Sequence, residues 1–454
     1  MEPNKREKFS SSLGFLLVSA GCAIGVGNIW KFPYLVGTNG GGIFVLFYLL
    51  FLAIMGIPVL TMELAVGRGG RNSAVCAYKA LEPKGSKWHI HGWFCLAGSV
   101  LLVIFYTTIS GWFSDFCWKY IVGAFKGLTP DAASVVIADV MGSGKECVLW
   151  MAITVIAGFI VVSFGLKKGL EKVTKWMMTG LLILILVLAV HSLTLPNANK
   201  GVAFYLVPDF ARASARGWGN IIVDAMNQSF FTLSLGIACI QIFGSYMSRE
   251  HTLTKEAVRI CVLDTFAAIM AGLIIFPACF SYGIEPDAGP NLIFMTLPRV
   301  FQNMAGGRVW GALFFLFMTF ASFSTIIAVF ENIMAIIVDS FGWSRRKTAL
   351  IIGSAILVLS IPCALGFNVW SHVSPFRGLD IQGAEDFIVS NLLLPIGCIV
   401  YLLFCVTKWG WGYDNYLAEV NTGDGVKLGD SKLLKGYFRF VLPVLIIVIL
   451  ILGL

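Results

Sequence analysis

Apolar residues run in long stretches along this chain, separated by short polar segments. Crossing the hydrocarbon of a bilayer takes roughly 20 mainly apolar residues, and eleven stretches qualify: 13–36, 42–67, 92–122, 148–165, 176–195, 220–246, 258–282, 310–338, 349–366, 387–406 and 438–454. The pattern predicts an all-helical polytopic membrane protein with about eleven transmembrane helices. The first stretch is followed by Lys31 and Pro33 rather than by a small-residue cleavage site. It therefore reads as a permanent helix and not as a signal peptide.

Two of the stretches are interrupted at matching places. Gly21, Gly25, Gly27 and Asn28 break the first, and Thr232, Ser234 and Gly236 break the sixth. Lipid offers no water to satisfy freed amides and carbonyls, so a helix opens at membrane depth only where protein or a solvated cavity takes over those groups. Paired breaks in the two halves of a chain point to a midplane binding site in a transporter. Stretches one to five and six to ten then form two sets of five, and the eleventh stands outside the symmetry. An odd number of helices per set turns the second upside down relative to the first. The expected division of this single domain is 1–195 for the first repeat, 196–408 for the inverted second repeat, and 409–454 for a cytoplasmic loop and the eleventh helix. The segments 196–219 and 283–307 are expected to cap the outer entrance, and 410–436 to form a surface loop.

Composition fits this reading: 57% of residues are hydrophobic and 13% charged, where a soluble domain carries about 25% charged residues. With the amino terminus inside, 23 of the 33 Lys and Arg residues fall in cytoplasmic segments, the bias that sets membrane orientation. That places the carboxyl terminus outside. The net charge of +8 is then a topology signal, and no nucleic-acid partner is expected. The 11 cysteines show no Cys-x-x-Cys pair and no metal spacing, so they read as small core residues. Asn227-Gln228-Ser229 is a formal glycosylation triplet inside a predicted helix and carries no meaning there.

Desolvated Na⁺ needs hard oxygen ligands, and carbonyls freed by a helix break supply them without adding charge. Amides at the same break and the positive end of a half-helix favour an anion such as a substrate carboxylate. Ionisable residues inside spans are costly and usually functional; here they are Glu63, Asp264 and Glu331, with Lys31 and Asp386 nearer the outer ends. Asp264 lies among Val262, Leu263, Phe266 and Ala267, where an ionised carboxylate needs a cation or donors beside it. Ser324 and Thr325 can set two neighbouring hydroxyls against a cation.

The runs AGCAIGVGNIWKFP (20–33), NGGG (39–42), QSFFTLSLG (228–236) and EDFIVSN (385–391) strongly resemble the neurotransmitter:sodium symporter family, and the likeness covers nearly the whole chain. It is similar above all to the eleven-helix bacterial transporters of hydrophobic amino acids. The resemblance implies alternating access, two sodium ions, an amino-acid substrate, an inner-membrane location in bacteria and no obligatory protein partner. Carried over by position, the first sodium site uses the Ala23 carbonyl, Asn28, Thr232, Asp264 and the substrate carboxylate. The second uses the carbonyls of Gly21, Ile24 and Ala321 with the hydroxyls of Ser324 and Thr325. The substrate carboxylate is expected against Tyr106 and the amides of Val26 and Gly27, and the amine against the carbonyls of Ala23, Phe231 and Thr232 and the Ser234 hydroxyl. Leu102, Phe231, Ile237, Thr325 and Val329 are the expected side-chain pocket.

Gly25 stands where monoamine-carrying relatives have an aspartate, so the substrate is expected to bring its own carboxylate. The implied outer gate is Tyr106 and Phe231 beneath a Lys31–Asp386 pair; the inner gate pairs Arg6 with Asp339, supported by Ser245 and Tyr246. Two departures matter. Ala268 occupies the place where some relatives carry a chloride-replacing glutamate, and Asp264 replaces the usual asparagine, so Asp264 is expected to supply the missing negative charge. In the fifth helix Thr179 follows Gly169 where many relatives have proline, and Thr lacks the ring clash that breaks helices. An amino-acid-gated channel or receptor remains the alternative use of such a site. No enzyme is expected, since no HExxH, GxSxG or paired-aspartate arrangement is present.

Overall fold

The computed structural model describes residues 6–284 and 292–453. Lys5, residue 454 of the last stretch and part of the expected cap 283–307 lie outside the described residues. Among the described residues every regular element is a helix and none is a strand.

The membrane body consists of α1 (Ser12–Ala23), α2 (Gly27–Thr38), α3 (Gly42–Gly70), α4 (Ile90–Val122), α5 (Gly144–Ser163), α6 (Leu166–Leu193), α7 (Trp218–Phe231), α8 (Gln241–Tyr246), α9 (Leu253–Ser281), α10 (Gly307–Phe341), α11 (Arg345–Leu365), α12 (Ile381–Val406) and α13 (Lys432–Gly453). Among the described residues nine of these are long and apolar enough to span, and α1 with α2 makes a tenth, bent by 59°. The sixth expected span, 220–246, does not qualify as one helix. Residues 232–240 leave helical geometry, which divides it into α7 and α8 and gives the second interrupted helix.

Local chemistry sets the ends. Ser11 caps α1 by accepting from the Gly14 amide at 3.1 Å, and Ser143 caps α5 through the Glu146 amide at 3.3 Å, each satisfying a donor that the first turn leaves free. Within 232–240, Ser234, Gly236 and Ala238 adopt φ of +50°, +102° and +64°. Only glycine holds such values without strain, so the two non-glycine positions mark a break held by its surroundings.

The broken helices pack reciprocally across the two halves. The α1–α2 pair lies against α9, the second long helix of the later half, while α7 and α8 lie against α3, the second of the earlier half. Around them α10 runs along α4, α9 along α6, and α11 along α5. The span in α10 is the most enclosed and that in α13 the least.

The segment expected as a surface loop, 410–436, is instead partly helical and anchored. Tyr413, Tyr416, Leu417 and Val420 recur at helical spacing, and residues Tyr413–Val420 form a helix with both tyrosines buried. Beneath it the fully buried Arg68 guanidinium bonds the Glu419 carboxylate at 2.7 Å and the His251 carbonyl at 2.7 Å.

Candidate functional site

The two helix breaks face each other and their freed backbone groups find partners in side chains. At the first, the Gly25 amide donates to the Asn28 side-chain oxygen at 3.1 Å and the Val26 amide donates to the Tyr106 hydroxyl at 2.8 Å. At the second, the Gly236 amide donates to the Glu63 carboxylate, while the Ile237 carbonyl accepts from Ser99 at 3.2 Å and Asn332 at 3.1 Å. Glu63 is thus a buried acceptor that braces the second break. Gln228, the first residue of the run 228–236, donates to the Gly27 carbonyl at 3.3 Å and ties the breaks together. Besides the resemblance of that run, its signal is a polar side chain inside an apolar helix.

Asp264 is fully buried and its carboxylate is surrounded by neutral donors. The Asn28 amide donates at 2.8 Å, the Thr232 hydroxyl at 2.8 Å and the Tyr48 hydroxyl at 3.4 Å. The Asn28 amide also reaches Thr232 at 3.0 Å. Asn28, Thr232 and Asp264, expected to share a cation, therefore form one connected cluster. Burying an unpaired carboxylate is expensive, and three neutral donors leave its charge uncancelled, so a small cation fits the chemistry of this cluster.

The second expected cluster also converges. The Ser324 hydroxyl donates to the carbonyls of Gly21 and Ala321, both at 2.9 Å, and the Thr325 hydroxyl lies 3.3 Å from the carbonyls of Gly21, Cys22 and Ala321. Ile24 closes the end of α1, its amide donating to Ala20 at 2.7 Å, and its carbonyl takes no part in these bonds.

Between the clusters lies an enclosed cavity of about 30 Å³, bordered by Ala23, Gly25, Gly27, Leu102, Tyr106, Phe231, Thr232, Ser234 and Thr325. All nine are among the expected substrate residues. That volume matches about one water molecule, so the walls must separate to admit an amino acid. Val26 touches the site through its amide, whereas Ile237 and Val329 do not border the cavity and pack in the core. Their place in the wall is taken by Val389 and Leu394 from α12, with Cys22 from α1.

At both positions where helix one meets this wall, a side chain would press on the residues now in place. A Cβ at Gly25 would stand 2.5 Å from the Tyr106 hydroxyl, and one at Gly27 would stand 2.5 Å from the Phe231 ring. Tyr106 and Phe231 separate the small cavity from a larger one of about 260 Å³ that Lys31 and Asp386 line.

Lys31 and Asp386 share that vestibule but form no ion pair, contrary to the sequence expectation. The Lys31 ammonium stands 4.0 Å above the Phe231 ring, a cation–π contact, while Asp386 accepts from Ser390 at 2.8 Å. At the opposite end the expected pairing is present. Arg6 bonds Asp339 at 2.6 Å and Ser245 at 3.0 Å, and lies 4.7 Å over the Tyr246 ring. Glu331, noted as an intramembrane carboxylate, accepts from Tyr246 at 2.6 Å and pairs with Arg345.

The sequence pattern of the sodium:neurotransmitter symporter family matches residues 6–130 and 138–454. The chain is 34% identical over 455 residues to the uncharacterized sodium-dependent transporter YhdH of Bacillus subtilis, covering 99% of this chain and 98% of that protein. It is 25% identical over 465 residues to the sodium- and chloride-dependent GABA transporter 2 of Bos taurus, covering 90% of this chain and 75% of that protein. The structure of MhsT in complex with L-phenylalanine superposes with a TM-score of 0.87 at 36% identity, covering 99% of this chain and all of that one.

Proposed function

The chain belongs to the sodium:neurotransmitter symporter family, and we propose that within it this protein imports hydrophobic L-amino acids, aliphatic or aromatic, by alternating access with about two Na⁺ and without chloride. It is an integral membrane transporter that uses sodium, not an enzyme. The observation that carries the finer reading is the pairing of Gly25 with the Tyr106 hydroxyl over a wall that includes Leu102, Phe231, Val389 and Leu394. Glycine leaves no acid for a substrate amine, so the substrate carries its own carboxylate toward the break, and an apolar side chain suits the wall. The likeness to MhsT, which was solved with L-phenylalanine, supports the same class.

One ion belongs at Asn28, Thr232 and Asp264 with the Ala23 carbonyl, the other at Ser324 and Thr325 with the carbonyls of Gly21, Ile24 and Ala321. The formal charge of Asp264 replaces that of a chloride. Two charges crossing 100 mV release about 4.6 kcal/mol, equivalent to about three decades of concentration.

The chain divides into repeats at 1–195 and 196–408, with 409–454 appended; the reciprocal packing of the broken helices supports this. The amino terminus is cytoplasmic and the carboxyl terminus outside, in a bacterial plasma membrane, as the Lys and Arg bias favours. A channel reading fits less well, because a thin partition on one side and the Arg6–Asp339 pair on the other flank a single cavity.

Uptake of radiolabelled leucine, phenylalanine, tryptophan and tyrosine into proteoliposomes tests the proposal, with and without an inward Na⁺ gradient and with gluconate replacing chloride. Sodium-driven accumulation that survives chloride removal is expected. Uptake that needs chloride, or none for any of the four, overturns it.

A further inference from the structure

A third, larger concavity shares no residue with the helix breaks. Between α5 and α11 runs an apolar groove of about 500 Å³, within the size range of small-molecule sites. Its floor is fixed: Gly353 lies so close to Phe159 that a Cβ there would meet the ring at 3.1 Å, and Phe159 stacks on Phe330 at 4.1 Å. Its rims, among them Ile160 and Leu350, are exposed on the outer surface of two membrane-spanning helices, so its contents come from the lipid phase.

The groove has one charged end. Along α11 it extends from Arg346 to Leu357, about 16 Å at the rise of an α-helix. That is half of a hydrocarbon core about 30 Å thick, the depth of one leaflet. Arg345 turns inward to Glu331, whereas the neighbouring Arg346 is exposed and makes no ion pair or hydrogen bond among the described residues. Lys167 and Lys168, which follow the groove residue Phe164, are also exposed and unpaired among the described residues. Glu7, the carboxylate that reaches this end, accepts from the Leu166 amide at 2.9 Å and forms no ion pair with these cations among the described residues.

We propose that this groove is a binding site for an anionic phospholipid, one acyl chain lying between α5 and α11 and the phosphate meeting Arg346. A chain of leaflet length fills the groove, and the uncompensated cations at its mouth select a negative headgroup over a zwitterionic one.

Native mass spectrometry of the full-length protein, delipidated and then offered equal phosphatidylglycerol and phosphatidylcholine, tests this. One phosphatidylglycerol should be retained at least fivefold over phosphatidylcholine. Arg346→Gln should abolish the preference, and Ser354→Trp or Ile160→Trp, which fill the groove from either wall, should abolish retention; Lys347→Gln, whose ammonium lies over Trp343, should change neither. Size exclusion and helical circular dichroism identify any variant that fails to fold, and two groove-filling positions keep the test decisive. Equal retention of both lipids, or phosphatidylglycerol held unchanged by Arg346→Gln, overturns the proposal. A dimer that Ser354→Trp dissociates, with no retained lipid, assigns the groove to a second copy instead.

Discussion

The Val26 amide donates to the Tyr106 hydroxyl at 2.8 Å, and the same hydroxyl fills the space where a side chain at Gly25 would begin. One oxygen thus holds the first helix break in shape and fixes glycine beside it. Gly25→Ala pushes its Cβ onto that oxygen. Overpacking of this kind costs about 1–3 kcal/mol, so the half-saturating substrate concentration should rise roughly tenfold or more. Tyr106→Phe alone should also weaken binding, because it leaves the Val26 amide unpaired. The double variant should be less impaired than the two single effects combined, since removing the hydroxyl makes room for the methyl. Uptake kinetics of all three variants check this, and strict additivity would count against the contact.

Asp264 is predicted to stand in for chloride. Asp264→Asn keeps a side chain of the same shape that can still accept from Thr232 but removes the formal charge. The half-saturating Na⁺ concentration should rise about tenfold, and chloride should restore part of the loss in the variant while leaving the parent protein unaffected. Sodium titrations of uptake in chloride and in gluconate read both effects. A variant that transports normally without chloride excludes this role.

The two breaks were legible in the sequence because their chemistry is local: glycine and polar residues inside apolar runs marked both. The substrate residues came instead from the family resemblance, and nine of those it implied border one cavity. What the sequence did not reveal depends on contacts between distant elements. Val389 and Leu394 enter the wall because α12 crosses the break at Gly236, where a Cβ would lie 2.2 Å from the Leu394 carbonyl; Val389 falls in the run 385–391 that resembles the family, but nothing local to either residue marks it as part of the wall. Lys31 and Asp386 have the charges for a gate, yet the Phe231 ring and Ser390 engage them separately. Arg68 and Glu419 are 351 positions apart, so the anchoring of 413–420 is visible only once α3 is in place, although the helical spacing of Tyr413, Tyr416 and Val420 was there to read.

Helix α6 should unwind less readily than a proline-bearing equivalent. The Thr179 hydroxyl bonds back to the Lys175 carbonyl at 2.8 Å, and its amide remains available to the helix. Ten residues earlier, Gly169 sits in a π-helical turn, Leu166–Glu171, where a Cβ would press against the Val161 carbonyl at 2.0 Å. The helix therefore already has one weak point, and a second at 179 should let the intervening segment open. Thr179→Pro should accelerate release of sodium and substrate toward the Arg6 side severalfold. Stopped-flow release from liposomes measures it, and an unchanged rate removes α6 from the release step.

Arg6 is predicted to latch the end of the protein opposite the vestibule. It bonds Asp339 and Ser245 and lies over Tyr246. Burial opposes its charge, but the paired Asp339 carboxylate favours it and its pKa stays raised, so the latch persists across the physiological pH range. Three residues on, Phe9 packs edge-on to Phe15 and Tyr246, and its amide donates to the Tyr246 carbonyl at 3.3 Å. Residues 6–15 are thereby tied to α8. Hydrogen bonds to a charged group contribute about 1.5–3 kcal/mol each, so Arg6→Ala should raise the opening equilibrium of this segment by roughly ten- to a hundredfold. Hydrogen exchange should quicken at residues 6–15 and in α8 while α10, held along α4, keeps its protection. Asp339→Ala should reproduce the pattern, because it removes the same bond from the other side. It should also free the Ser73 amide, which donates to Asp339 at 2.8 Å, so exchange at 73 should rise in this variant and not in Arg6→Ala. If protection at 6–15 is the same in both variants and the parent, the pair does not hold that end closed.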